Sequence, residues 1–159
     1  GSTSEPIKLP LADKQFDAVF SIGVLEHVDE FGGDLMGSMA ELNRVCTPGG
    51  RFYCFHFPNK NSWIEALTRV LIKRTGHQRF HHVRLFSKNE IMDFCGQSGF
   101  HVVNIGRYHF LPRNILNKLP VVLKESRIFV GLYNFIDNVL SGCLPWFCQN
   151  WYFIAEKRL

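Results

Sequence analysis

The sequence predicts an α/β fold built on a parallel sheet. Short apolar runs of strand length alternate with stretches whose apolar residues recur every three or four positions. Glycine or proline closes most of these segments. The first run is apolar almost throughout, as a strand covered on both faces requires. With 159 residues, 46% of them apolar and 20% charged, the chain is one domain's worth and can bury a core. Phenylalanine is unusually common at 15 residues, which points to a broad apolar interior or a lipophilic pocket.

The first strand runs from Phe16 to Ile22 and is closed by Gly23. Asp29 and Glu30 then place negative charge where a helix's first turn is expected. Phe31, Leu35, Met39, Leu42 and Cys46 form that helix's apolar stripe, and Pro48-Gly49-Gly50 stops it. Arg51 to Phe57 reads as a second strand ended by Pro58. Ser62-Trp63-Ile64-Glu65 has capping-box spacing, and Trp63, Leu67, Val70 and Leu71 carry a helical face towards Gly76. A stronger box is Ser87-Lys88-Asn89-Glu90, with Phe86 and Ile91 at the positions of a hydrophobic staple and Gly99 as the stop. His101 to Phe110 reads as a third strand with Val103 and Ile105 on one face, and Trp151 to Ala155 as the last.

Residues 111–148 form a long insertion between the last two strands, broken by Pro112 and Pro120, with one or two helices between Val121 and Gly142. Ile128 to Cys148 is apolar enough to raise a membrane span, but Asn134, Asp137 and Asn138 sit in its middle. An aspartate at a bilayer centre costs about 2.5–3.5 kcal/mol on insertion scales. A lid or a surface-lying helix pair is the reading adopted.

The net charge of +4 is mild, and apart from Lys73-Arg74 and Lys157-Arg158 the basic residues are dispersed. No stripe suits a phosphate backbone, so nucleic acid is not an expected partner. Cys46, Cys54, Cys95, Cys143 and Cys148 are odd in number and contain no CxxC pair. They read as buried thiols of a cytoplasmic protein, not as a disulfide framework or a zinc site, and no metal is expected. No signal peptide is seen, and Gly1-Ser2 reads as a tag-cleavage scar.

Two stretches resemble class I S-adenosylmethionine-dependent methyltransferases. Leu9-Pro10-Leu11-Ala12-Asp13 leading into Phe16-Asp17-Ala18-Val19, then Leu25-Glu26-His27-Val28, resembles the fourth-strand signature of that family. Its small-molecule and quinone-biosynthesis branch is the nearest likeness. Glu41-Leu42-Asn43-Arg44-Val45 followed by Pro48-Gly49-Gly50-Arg51-Phe52 resembles the helix-turn-fifth-strand element. Leu85-Phe86-Ser87, Glu90-Ile91 and Ser98-Gly99-Phe100 resemble the approach to the sixth strand. The resemblance implies a Rossmann-like methyltransferase fold truncated to a half-sheet of strands 4-5-7-6 with flanking helices, the seventh antiparallel. It also implies S-adenosylmethionine as the cofactor of the complete protein. The glycine-rich loop and acidic residue of strands one to three have no counterpart, so the expectation is a single partial domain over 1–159, the C-terminal half, inactive by itself. An edge of Phe16–Ile22 would then lack its neighbour, and association is expected there, with a second copy or with the missing half.

In open α/β sheets ligands sit beyond the carboxyl ends of the strands, at the switch point. The resemblance therefore places the cofactor against Ser21, Ile22 and Gly23. His27 is the first choice for a catalytic base, since its ordinary pKa suits proton removal; the alternative is that Glu26 or His27 caps the next helix. Glu26, His82, Arg84 and Tyr108 are the expected substrate contacts, with a plain polar loop as the alternative for His82 and Arg84. Phe55, Phe57, Tyr108, Phe110, Trp146 and Phe147 are candidate pocket walls or core. The insertion's composition points to a lipophilic small-molecule substrate or peripheral contact with a membrane. A non-catalytic module docking a partner through its half-sheet is the competing class; a nicotinamide-dependent oxidoreductase ranks last.

Overall fold

The computed structural model describes residues 8–29, 32–75, 82 and 84–159. Four strands form one sheet: β1 (Phe16–Ile22), β2 (Cys46–Pro58), β3 (Phe100–Tyr108) and β4 (Asn150–Lys157), in the order β1-β2-β4-β3. β1 and β2 are parallel. β4 runs against β2, because Asn59 N–H donates to the Gln149 carbonyl while Arg51 faces Glu156 at the other end. It also runs against β3, because Gln149 N–H donates to the His109 carbonyl and Arg158 N–H to that of Gly99. The expected 4-5-7-6 half-sheet with an antiparallel seventh strand is the sheet observed.

Two compact units divide the chain. The first comprises Gly1–Pro58, His82–Gly106 and Trp151–Leu159. Its core lies on one sheet face, where Phe52, Cys54, Phe57 and Phe153 meet Leu35 and Met39 of α1 (Leu35–Val45) and Ile91 and Phe94 of α3 (Lys88–Gln97). The abundant phenylalanines concentrate here: Phe57 meets Phe86 at 4.2 Å between ring centroids and Phe153 edge-on at 5.7 Å. The box predicted at Ser87 caps α3. Ser87 Oγ accepts from Glu90 N–H at 3.3 Å, and Ser87 N–H donates to Glu90 Oε2 at 2.8 Å.

Four expectations about this first unit need correction. β1 is not buried on both faces: β2 is its sheet neighbour, Ser21 is its buried residue, and Phe20 and Ile22 are 61% and 58% exposed. Pro48-Gly49-Gly50 does not separate helix from strand but lies within β2, which already starts at Cys46. Phe16 pairs with Cys46 and Ala18 with Arg51, so two steps along β1 match five along β2, and Gly49 (φ +74°) absorbs the excess as a bulge. Asp29 precedes the helix, yet it still serves it from outside by accepting Leu35 N–H at 3.2 Å; Glu30 and Phe31 lie outside the described residues. Val103 is exposed, whereas Val102 and Ile105 pack on the core, so the alternation along β3 breaks between them.

The second unit comprises Asn59–His81 and Arg107–Asn150. It holds α2 (Trp63–Thr75), α4 (Arg113–Leu116), α5 (Val121–Glu125), α6 (Arg127–Cys143) and a 3-10 turn at Pro145–Phe147. Polar side chains fasten its loops. Asn59 Nδ2 donates to the carbonyls of Cys148 and Trp146 at 2.7 and 3.0 Å, and Trp63 Nε1 to that of Phe110 at 2.9 Å. Ser126 Oγ accepts Phe129 N–H to cap α6. Among the described residues no helix is long and apolar enough to cross a membrane. All five thiols are expected to be buried; Cys143 is exposed instead, at the C-terminal end of α6, and the other four are buried.

Candidate functional site

The carboxyl end of β1 delivers Ser21 and Ile22, and Gly23 turns the chain out of the sheet with φ +68°. A side-chain-bearing residue would pay roughly 1–2 kcal/mol for that backbone. Gly23 N–H donates to the Phe55 carbonyl at 3.4 Å, which holds the turn against β2. A 3-10 turn over Leu25–His27 follows, burying Leu25 and Glu26. Glu26 is 3% exposed, and its Oε1 lies 3.7 Å from where a Cβ on Gly23 would stand. Burial, and then the Glu26 charge, pushes the Cys54 thiol well above its usual range, so Cys54 stays a thiol.

His27 stacks on His82 with ring centroids 5.6 Å apart and planes 17° apart. Arg84 Nη1 donates to Asp29 Oδ2 at 2.5 Å, and its guanidinium lies 4.8 Å over the Phe86 ring. His27 with His82 and Asp29 with Arg84 thus join two segments 55 residues apart in sequence, while Glu26 is buried beside Gly23. His81 and Val83 lie outside the described residues. Tyr108 belongs to the second unit, where its ring meets His109 at 4.3 Å. Phe57 is fully buried in the core, whereas Phe55 is half-buried and stacks on Tyr152 at 6.3 Å. No cluster of three or more histidine, cysteine or acidic side chains suited to a metal occurs among the described residues.

A hollow of about 250 Å³ opens beside Ser21 and Ile22, walled by Phe20, Val24, Leu25 and Leu42. Ser21 and Ser38 also line it; each residue is more than nine-tenths buried, and neither Oγ has a hydrogen-bond partner among the described residues. Glu41, also at its wall, is committed elsewhere: Arg44 Nη2 and Leu9 N–H each donate to Oε1 at 2.6 Å, and Arg44 Nε donates to Oε2 at 2.8 Å. The Arg44 hydrogen bonds hold the Glu41 carboxyl down at about 2, and Arg44 itself is further fixed by Asp13. Sites for cofactor-sized ligands enclose roughly 300–1,000 Å³. Ser21 and Ile22 thus offer one wall of a cofactor-sized site and not the whole of it, and Gly23 does not line this hollow.

His56 escaped the sequence reading. It has φ +67°, rare for a residue with a side chain, and stands one position past the Phe55 that pairs with Ile22. Burial lowers its pKa, favouring the neutral imidazole at this same carboxyl edge. The turn also resets the alternation of β2, since residues 52 and 54 are buried before it and 57 after it. Phe-His-Phe at a strand end carries no sign of that in the sequence.

Comparison with known proteins agrees with this architecture. Residues 3–54 match the family model for a methyltransferase domain, a match that ends inside β2. No curated protein matches the sequence significantly. Among solved structures, a SAM-dependent methyltransferase from Thermotoga maritima superposes with a TM-score of 0.59 at 15% identity, covering 95% of this chain and 60% of its own. One from Methanosarcina mazei gives 0.58 at 14%, covering 96% and 64%. The 4+2 cyclase SpnF gives 0.58 at 15%, covering 98% and 54%. The chain thus spans between 54% and 64% of the length of these three proteins. At such identities the likeness is one of fold, and a cyclase among the neighbours illustrates that the fold alone does not set the reaction. The sheet and its flanking helices have the Rossmann-like fold of SAM-dependent methyltransferases.

Proposed function

We propose that this chain is the C-terminal part of a SAM-dependent methyltransferase of the small-molecule, quinone-biosynthesis-like branch, acting on a lipophilic substrate and silent without the rest of its domain. The observation that carries this reading is the family match over residues 3–54 together with a sheet ordered β1-β2-β4-β3. When bound, the cofactor supplies an electrophilic methyl group. Ser21, Ile22 and Gly23 line its path, mainly by backbone and the Ser21 hydroxyl. His27, stacked on His82, takes the proton that a hydroxyl or carbon nucleophile must lose. Glu26, His82 and Arg84 contact the substrate and hold it aligned for displacement. Upstream sequence would supply the glycine-rich loop and the acidic ribose contact. Isothermal titration of the chain with S-adenosylhomocysteine is expected to give no saturable binding below about 1 mM, an affinity of roughly 4 kcal/mol. Micromolar binding would overturn the partial-site reading.

A second reading is favoured by the exposure of Phe20 and Ile22 beside the outer edge of β1. Here the chain is an interaction module whose edge pairs with another strand. Sedimentation velocity tests the pairing: concentration-dependent association that Ile22→Lys weakens by about tenfold supports docking. A monomer at every concentration removes self-pairing.

A further inference from the structure

Helix α6 wears its apolar residues outward. Ile128, Leu132, Phe135, Ile136 and Val139 recur at helical spacing on one side and are 86%, 57%, 65%, 41% and 47% exposed. Its polar side is turned in and spent on the chain at 110–113. Asp137, 1% exposed, accepts Leu111 N–H at 2.7 Å through Oδ1 and Arg113 Nη2 at 3.3 Å through Oδ2. Ser141 Oγ accepts Phe110 N–H at 3.2 Å, Asn134 Oδ1 accepts Arg113 Nη1 at 2.9 Å, and Tyr133 donates to the Pro112 carbonyl at 3.0 Å. The helix cannot turn its stripe inward without breaking all of these at once.

The surroundings of the stripe say what covers it. Lys118, Lys124 and Arg127 are exposed, Arg127 being the first residue of α6 and Lys124 lying three before it, and Glu125 is the exposed acid of residues 111–148. Val122 of α5 is 80% exposed among them, and Trp146 is 62% exposed past the other end of α6. Apolar side chains flanked by basic ones, with an exposed indole, match a bilayer surface carrying anionic headgroups. A second copy fits worse. It would bring the same three cations with one acid to answer them. A helix of 17 residues, about 25 Å long, also offers less than the roughly 800 Å² per partner of a specific interface.

We infer that α5 and α6 lie flat on an anionic membrane surface. The stripe from Ile128 to Val139 enters the headgroup–acyl boundary, and Lys118, Lys124 and Arg127 meet lipid phosphates. This does not rest on the methyltransferase reading. The test is co-sedimentation of the whole chain with phosphatidylcholine vesicles and with mixed phosphatidylcholine–phosphatidylglycerol vesicles. The chain is expected to pellet with the mixed vesicles, to bind the neutral ones more weakly, and to release as salt is raised. Leu132→Glu with Phe135→Glu, both exposed and outside the Asp137 network, should cut binding by about tenfold or more, with the far-ultraviolet circular dichroism unchanged. Lys124→Glu with Arg127→Glu should abolish the preference for mixed vesicles. Equal binding to both vesicle types, pelleting unaffected by the stripe variant, or no pelleting overturns the inference. So does a vesicle-free dimer that the stripe variant dissociates.

Discussion

Phe153→Ala is expected to lower the stability of the sheet-bearing unit by about 3–5 kcal/mol. Phe153 is fully buried on β4 and touches three other rings: Phe52 at 5.8 Å, Phe57 at 5.7 Å and Phe94 at 6.1 Å between centroids. Alanine would remove that aromatic surface and leave a cavity lined by side chains from β2 and α3, both anchored by hydrogen-bonded backbone and unable to collapse inward. Whole-domain stabilities are commonly about 5–15 kcal/mol, so the loss is a large share. Guanidinium unfolding followed by the fluorescence of Trp151, which is buried in the same unit, measures it. A loss below about 1 kcal/mol would mean that the aromatic cluster repacks freely.

Asp137→Ala should cost the second unit about 2–3 kcal/mol. The carboxylate is buried and holds both the Leu111 N–H and the Arg113 guanidinium. Removing it leaves a desolvated N–H, worth about 1–3 kcal/mol, and an arginine stripped of its counter-charge. The Arg113 side chain is 39% exposed, so water recovers part of its charge and the cost stays below that of a fully buried pair. Asp137→Asn, which can still accept from Leu111, should lose less than half as much. A double-mutant cycle with Arg113→Ala separates the two contributions; equal losses for Asp137→Ala and Asp137→Asn would assign the whole effect to the charge.

How far the fold was legible differs from element to element. Ser87-Lys88-Asn89-Glu90 announced α3 because a capping box is a local bargain, closed within four residues whatever surrounds it. The strand order followed from the resemblance carried by residues 9–110, and the sheet agrees with it. Pro48-Gly49-Gly50 was misread because the same residues that stop a helix also build a bulge, and register against β1 decides between the two. At the site, Glu26-His27 was legible as a motif, but its meeting with His82 depends on a loop returning from across the chain. His56 was illegible because a left-handed backbone at a histidine leaves no mark in composition or period.

The sequence by itself determined the class: strand-length apolar runs alternating with amphipathic stripes, and two linked motifs that name a fold. Local periodicity and short-range capping suffice for that, since each is satisfied within a few residues. Tertiary structure decided what those elements face. β1 stands at an edge, as the half-sheet resemblance implies, and the tertiary structure decides which of its side chains are open, Phe20 and Ile22 among them, because a strand's burial depends on its neighbours. The sequence offers 111–148 as a lid or a surface-lying helix pair; that the α6 stripe points outward is decided by Asp137, Asn134 and Ser141, which find their partners at 110–113 on the other side. A buried carboxylate must be hydrogen-bonded where it lies, and that requirement outweighs covering the apolar face.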